Sequence, residues 1–77
     1  MIIEVTGEAD YWDWDTVCRT LELIGPSEVH CQPGPGAGAE AYYWCQRHGV
    51  HGTYKGASCP MLQVIFTKAR IEVKPYG

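Results

Sequence analysis

The sequence lacks any long apolar run: the longest are short pieces such as Val64-Ile65-Phe66, against the roughly 20 residues a membrane span needs. It also lacks a basic excess. Six Lys and Arg stand against nine Asp and Glu, for a net charge of -3, which argues against a general affinity for nucleic acid or for an anionic membrane. There is no internal repeat and no phosphate loop ending in Gly-Lys-Ser/Thr. Met1 leads directly into Ile2-Ile3-Glu4-Val5 without a basic n-region, so no targeting segment is expected. Length is limiting too: 77 residues make one small domain, 1–77, with no room for a separate catalytic or cofactor domain. A domain of this size buries only about 60–65% of its unfolded surface, so a metal, a disulfide or a second copy would help it.

What is present is the composition of a globular protein, with 45% hydrophobic residues. Four cysteines could pair, but without a signal segment the expected compartment is the cytoplasm, where thiols stay free or bind metal. Ile3 and Val5 alternate with Glu4 and Thr6 until Gly7 breaks the run, which predicts a short strand near the middle of a sheet. From Asp10 to Ile24 the residues Trp14, Val17, Cys18, Leu21 and Ile24 form the stripe of an amphipathic helix. Asp10 is the expected cap of its first turn, Asp13 and Asp15 lie at the positive end of its dipole, and Gly25-Pro26 closes it.

Ser27 to Gln32 reads as a short strand, and Pro33-Gly34-Pro35-Gly36-Ala37-Gly38 as a mobile loop with little to pack. In 40–48 the helix formers compete with Tyr42-Tyr43-Trp44-Cys45, and the aromatic run favours a strand, with at least one of its aromatics turned outward. Gly49, Gly52 and Gly56 punctuate a turn-rich connection to Pro60. Leu62, Val64 and Phe66 alternate on one parity and Ala69, Ile71 and Val73 on the other, so a turn or bulge separates them. The expected fold is α+β in two layers: one amphipathic helix packed on a four- or five-stranded, mostly antiparallel sheet.

Few patterns carry chemistry. Gly34-Pro35-Gly36-Ala37-Gly38-Ala39 fits the spacing of a dinucleotide fingerprint, but Pro35 removes an amide donor and the chain cannot hold two nucleotide-binding halves, so a linker loop is expected. Cys45, His48, His51 and Cys59, with His30 and Cys31 as substitutes, supply zinc-ligand types at a spacing that matches no standard finger. Buried small thiols and polar-turn histidines are the favoured account, and no cofactor is expected. A cysteine nucleophile with His48 or His51 as base would need an orienting group and a pocket that so small a chain rarely shapes.

The N-terminal fifteen residues hold Glu4, Glu8, Asp10, Asp13 and Asp15 without a Lys or Arg, whereas Lys68, Arg70 and Lys74 collect near the other end. On a helical wheel Trp12, Arg19 and Leu23 fall opposite the core stripe, and Trp and Arg are the side chains most frequent at interface centres. Asp10, Trp12, Asp13, Asp15, Arg19 and Leu23 therefore form the expected protein-binding patch. The function this implies is a non-enzymatic interaction module that docks to and masks a larger protein with a basic surface. It would not contact nucleic acid or membrane directly, and could act by competing for a nucleic-acid-binding cleft. In size, acidity and lack of a catalytic signature the chain is similar in style to phage-encoded inhibitors of host machinery. The alternatives are a zinc-stabilised binding domain built on Cys45, His48, His51 and Cys59, and a small cysteine-dependent enzyme. An edge strand near Arg70 to Pro75 would allow a homodimer.

Overall fold

Strand β1 (Ile2–Gly7) is the centre of a five-stranded sheet. The computed structural model describes residues 1–54 and 59–76. Along β1 the apolar Ile3 and Val5 are fully buried, and the polar Glu4 and Thr6 take the other face. Helix α1 (Trp14–Ile24) follows, then β2 (Glu28–Cys31), α2 (Ala37–His48), β3 (His51–Thr53), β4 (Leu62–Phe66) and β5 (Ile71–Pro75). The strand order is β3-β2-β1-β4-β5. β1 runs parallel to β2 and β4, β2 runs parallel to β3, and among the described residues the β4–β5 hairpin alone is antiparallel.

The α+β class holds, and the mostly antiparallel sheet under a single helix is corrected to two helices with a mostly parallel sheet. The cause is one segment. Residues 40–48 form the body of α2 rather than a strand. Ala37, Ala41, Trp44 and Cys45 make its buried stripe, at spacings of four and three residues plus one neighbour. With a helix there, β1-α1-β2-α2-β3 becomes two consecutive crossovers. Right-handed crossovers moving in one direction across the sheet place both helices on the same face. α2 lies over β1, β2 and β3 and packs beside α1. The three aromatics then divide as a helix dictates: Trp44 inward, Tyr43 outward, and Tyr42 stacked on Tyr54.

The glycine-rich segment is corrected as well. Residues 33–36 are the expected connection without helix or strand, but α2 begins at Ala37, and Gly36, Ala37 and Gly38 are buried. A Cβ at Gly38 would strike the main chain of Gln32, and one at Gly36, at φ 107°, would strike the Glu8 carbonyl. Of the glycines that imitate a dinucleotide fingerprint, Gly36 and Gly38 serve close packing of main chain on main chain, whereas Gly34 has open space around it. Between Cys31 and Ala37 the chain runs from a strand into a helix, as that fingerprint requires, but its turn is filled by residues 8 and 9.

At α1 the expected limits are observed, shifted by a few residues. Asp13, not Asp10, is the N-cap: its carboxylate accepts the Thr16 N–H at 3.2 Å and the Thr16 hydroxyl at 2.7 Å. Gly25 closes the helix in the left-handed region, φ 63°, its N–H donating to the Leu21 carbonyl. Val17 and Leu21 are buried as expected, whereas Trp14 is 37% exposed because it is the first helical residue. Tyr11 occupies the core position instead, its ring 5.5 Å from that of Phe66. The turn expected between Phe66 and Ala69 joins β4 to β5. Gly56, expected to punctuate the connection after β3, lies outside the described residues. All four cysteines are free thiols. Among the described residues no helix is long and apolar enough to cross a membrane.

Candidate functional site

Two concavities lie on opposite sides of the sheet. The first follows from consecutive residues with opposite fates. Tyr11 is drawn into the core, and Trp12 beside it faces outward, 64% exposed. The β4–β5 turn folds against the same segment. The Lys68 N–H donates to Glu8 at 2.8 Å, the Lys68 ammonium pairs with Asp10, and the Glu8 N–H bonds the Phe66 carbonyl at 3.1 Å. Between these walls lies a groove of about 430 Å³, with Trp12 and Ile71 as its exposed apolar members and Asp10, Asp13, Lys68 and Arg70 among its charged ones.

The electrostatics of the groove are mixed. The Lys68 ammonium beside Asp10 holds that carboxyl below the usual carboxylate range and is itself raised in return. Hydrogen bonds from Thr16 lower Asp13. Arg70 pairs with Glu72 at 2.8 Å. The charge separation read along the chain is therefore partly closed in space, because β4 runs parallel to β1 and ends beside it, which sets the turn bearing Lys68 against the segment bearing Glu8 and Asp10. Of the expected patch, Asp10, Trp12 and Asp13 line the groove together. Asp15, Arg19 and Leu23 are exposed on the solvent face of α1, opposite Val17 and Leu21, with Leu23 at 89%. The patch is thus two adjoining surfaces.

The second concavity, about 470 Å³, lies on the sheet face without helices. Its floor is polar because Glu4 and Thr6 of β1 and His30 of β2 point away from the helices. Register places Glu4 between His30 and Gln63. His30, nearly buried, holds Glu28 through Nε2 at 2.6 Å, and the Gln63 amide donates to Glu4 at 2.8 Å. Tyr54, Cys59, Pro60 and Tyr76 close the rim. Sequence reasoning passed over the Glu28–His30 pair. Its signal was the i, i+2 spacing in a strand, which sets two side chains on one face.

The Cys45, His48, His51 and Cys59 quartet is not brought together. Cys45 is buried beside Cys31, whose thiol is pushed up by that neighbour and by burial. His48 is exposed and stacked on Trp44 at 4.6 Å, His51 is exposed at the start of β3, and Cys59 lies at the rim of the second cavity. Among the described residues no group of three or more His, Cys, Asp or Glu is placed to hold a metal ion. Neither protein-family models nor curated proteins nor solved structures give a match to this chain.

Proposed function

We propose that the chain is a non-enzymatic interaction module that docks to a larger protein through the Trp12 groove. One observation supports the reading above the others: a tryptophan 64% exposed beside Ile71 in a concavity whose walls are tied by Lys68, Asp10 and Glu8. A large exposed aromatic is a solubility cost to a small monomer, and a pre-shaped groove lowers the ordering cost of binding. The partner carries an apolar side chain for the groove and basic groups opposite Asp13 and Asp15. Masking of a nucleic-acid-binding surface is the narrower form of this reading. It requires that added salt weaken the complex and that nucleic acid compete for the same partner.

The test compares Trp12→Ala with Tyr43→Ala, an exposed aromatic on α2, as immobilised baits. A partner held by the native chain should be retained by Tyr43→Ala and bound more weakly by Trp12→Ala, by more than about 1 kcal/mol or roughly fivefold. Equal retention by both variants would sink the proposal.

A second reading rests on the other cavity, where His30 is oriented by Glu28 and Cys59 stands at the rim. These are the residue types of a cysteine-dependent reaction. It requires that iodoacetamide alkylate Cys59 rapidly below about pH 7 and that His30→Gln abolish the effect. Alkylation that accelerates only near pH 8.5, the ordinary thiol range of about 8–9, would exclude it.

A further inference from the structure

We infer that β5 pairs with β5 of a second copy of this chain, antiparallel and centred on Val73, joining the two sheets into one. β5 is the outer strand on its side of the sheet. Its pairing with β4 fixes which backbone groups are outward. The Thr67 N–H bonds the Arg70 carbonyl at 3.0 Å and the Tyr76 N–H bonds the Met61 carbonyl at 3.1 Å. With the register Ile65 to Glu72 and Gln63 to Lys74, residues 70, 72, 74 and 76 turn their backbone groups toward β4, and Ile71, Val73 and Pro75 turn theirs away. The outward donors of the strand are thus Ile71 and Val73, because proline has none.

A two-fold axis at Val73 satisfies both. The two Val73 residues exchange N–H and carbonyl, and each Ile71 N–H meets the carbonyl of Pro75 of the partner subunit. The missing Pro75 donor falls at the end of the ladder. On the helix-side face Val73 would meet Val73 of the partner subunit, and Ile71 would meet Pro75. Ile71 and Val73 are apolar and partly open to solvent, 38% and 51% exposed. On the opposite face Glu72 would meet Lys74 of the partner subunit, twice by symmetry, at the closer non-hydrogen-bonded positions.

Charge selects this register over its neighbours. Slipping the symmetric pairing to centre on residue 72 sets Glu72 against Glu72 and Arg70 against Lys74. Centring on residue 74 sets Lys74 against Lys74. Charged residues and a terminal proline are the usual means of closing an edge strand to indiscriminate pairing, and here, among the symmetric registers centred on residues 72 to 74, their alternation leaves one self-complementary arrangement open; centring on Ile71 would place half of the pairing on the turn before β5. The inference is independent of the partner proposed above, although Ile71 borders the Trp12 groove and a second copy would extend its wall.

Sedimentation equilibrium across a concentration series, with hydrogen exchange read per amide, tests this. The native chain should show a monomer–dimer equilibrium, and the Ile71 and Val73 amides should gain protection as dimer forms while already bonded Glu72 and Lys74 amides do not. Glu72→Lys should weaken the dimer by about tenfold or more, and the exchange variant Glu72→Lys with Lys74→Glu should restore it. Far-UV circular dichroism verifies that each variant is folded. If Glu72→Lys alone fails to fold, the exchange variant and the amide pattern still decide. A native chain monomeric up to about 1 mM, a dimer indifferent to the charge changes, or protection rising elsewhere overturns the inference.

Discussion

Replacing Gly38 by alanine sets two effects of opposite sign against each other, and the structure decides between them. Gly38 lies within the first turn of α2, where the exchange of glycine for alanine should stabilise a helix by about 1 kcal/mol. Against this, the new Cβ would meet the nitrogen, carbon and oxygen of Gln32. These are main-chain atoms and cannot swing aside as the end of a side chain can. Gln32 is also held from both sides: its N–H bonds the Val5 carbonyl at 3.0 Å, and its side chain accepts the Gly7 N–H at 3.1 Å. Relief must move α2 off the end of β2 or distort that junction, at the upper end of the roughly 1–3 kcal/mol typical of overpacking. The balance is a net loss of about 2 kcal/mol. For a domain of this size that corresponds to a melting temperature lower by about 8–16 °C. Thermal and urea unfolding followed by circular dichroism would measure it. Ala39→Gly, the converse change one residue on, serves as a control that loses only the propensity difference of about 1 kcal/mol. If Gly38→Ala melts at or above the native temperature, α2 does not seat on Gln32, and the packing account of the glycine-rich segment is refuted.

Asp13→Ala removes the cap of α1 and should cost about 0.5–2 kcal/mol in urea unfolding, whereas Asp13→Asn should recover most of it. Glu40 is buried in the first turn of α2, where it accepts the Asp13 N–H at 3.1 Å, and burial raises its carboxyl above the usual range. A carboxyl raised in the folded state loses stability as pH climbs from the unfolded value through the folded one. Glu40→Gln keeps the acceptor and removes the charge, so it should melt above the native chain at neutral pH and converge with it below about pH 4. A constant gap across that range would show that the charge is not the cause. Asp10 and Asp13 run the opposite way. Their lowered carboxyls give stability that is present above the unfolded value and lost as pH falls through the folded ones.

Local pattern determined a good deal. The alternation in Ile2–Gly7 defined a central strand, the stripe through Val17 and Leu21 defined α1, and the parity change after Phe66 marked the β4–β5 turn. Each is written in adjacent residues, since burial of one face imposes a period of two or 3.6. The outward position of Trp12 was also legible, although its cause is the buried Tyr11 beside it rather than the helical wheel, because the helix begins at Trp14.

Tertiary structure alone decided the direction of the strands. Whether 40–48 is helix or strand depends on whether its alanine, Trp44 and Cys45 stripe finds an apolar surface, and that surface is Val29 and Cys31 of β2 together with Ile3 and Val5 of β1. Intrinsic preference at Tyr42-Tyr43-Trp44 points the other way and is overridden by packing. From that single choice follow the parallel crossovers, the bare polar face that sets Glu4 beside His30, and the glycines pressed against Gln32 and Glu8. The pairing of Lys68 with Asp10 is tertiary too: parallel pairing of β4 with β1 brings the ends of two strands far apart in the chain together, and a coulombic contact depends on distance in space, which spacing along the sequence does not contain.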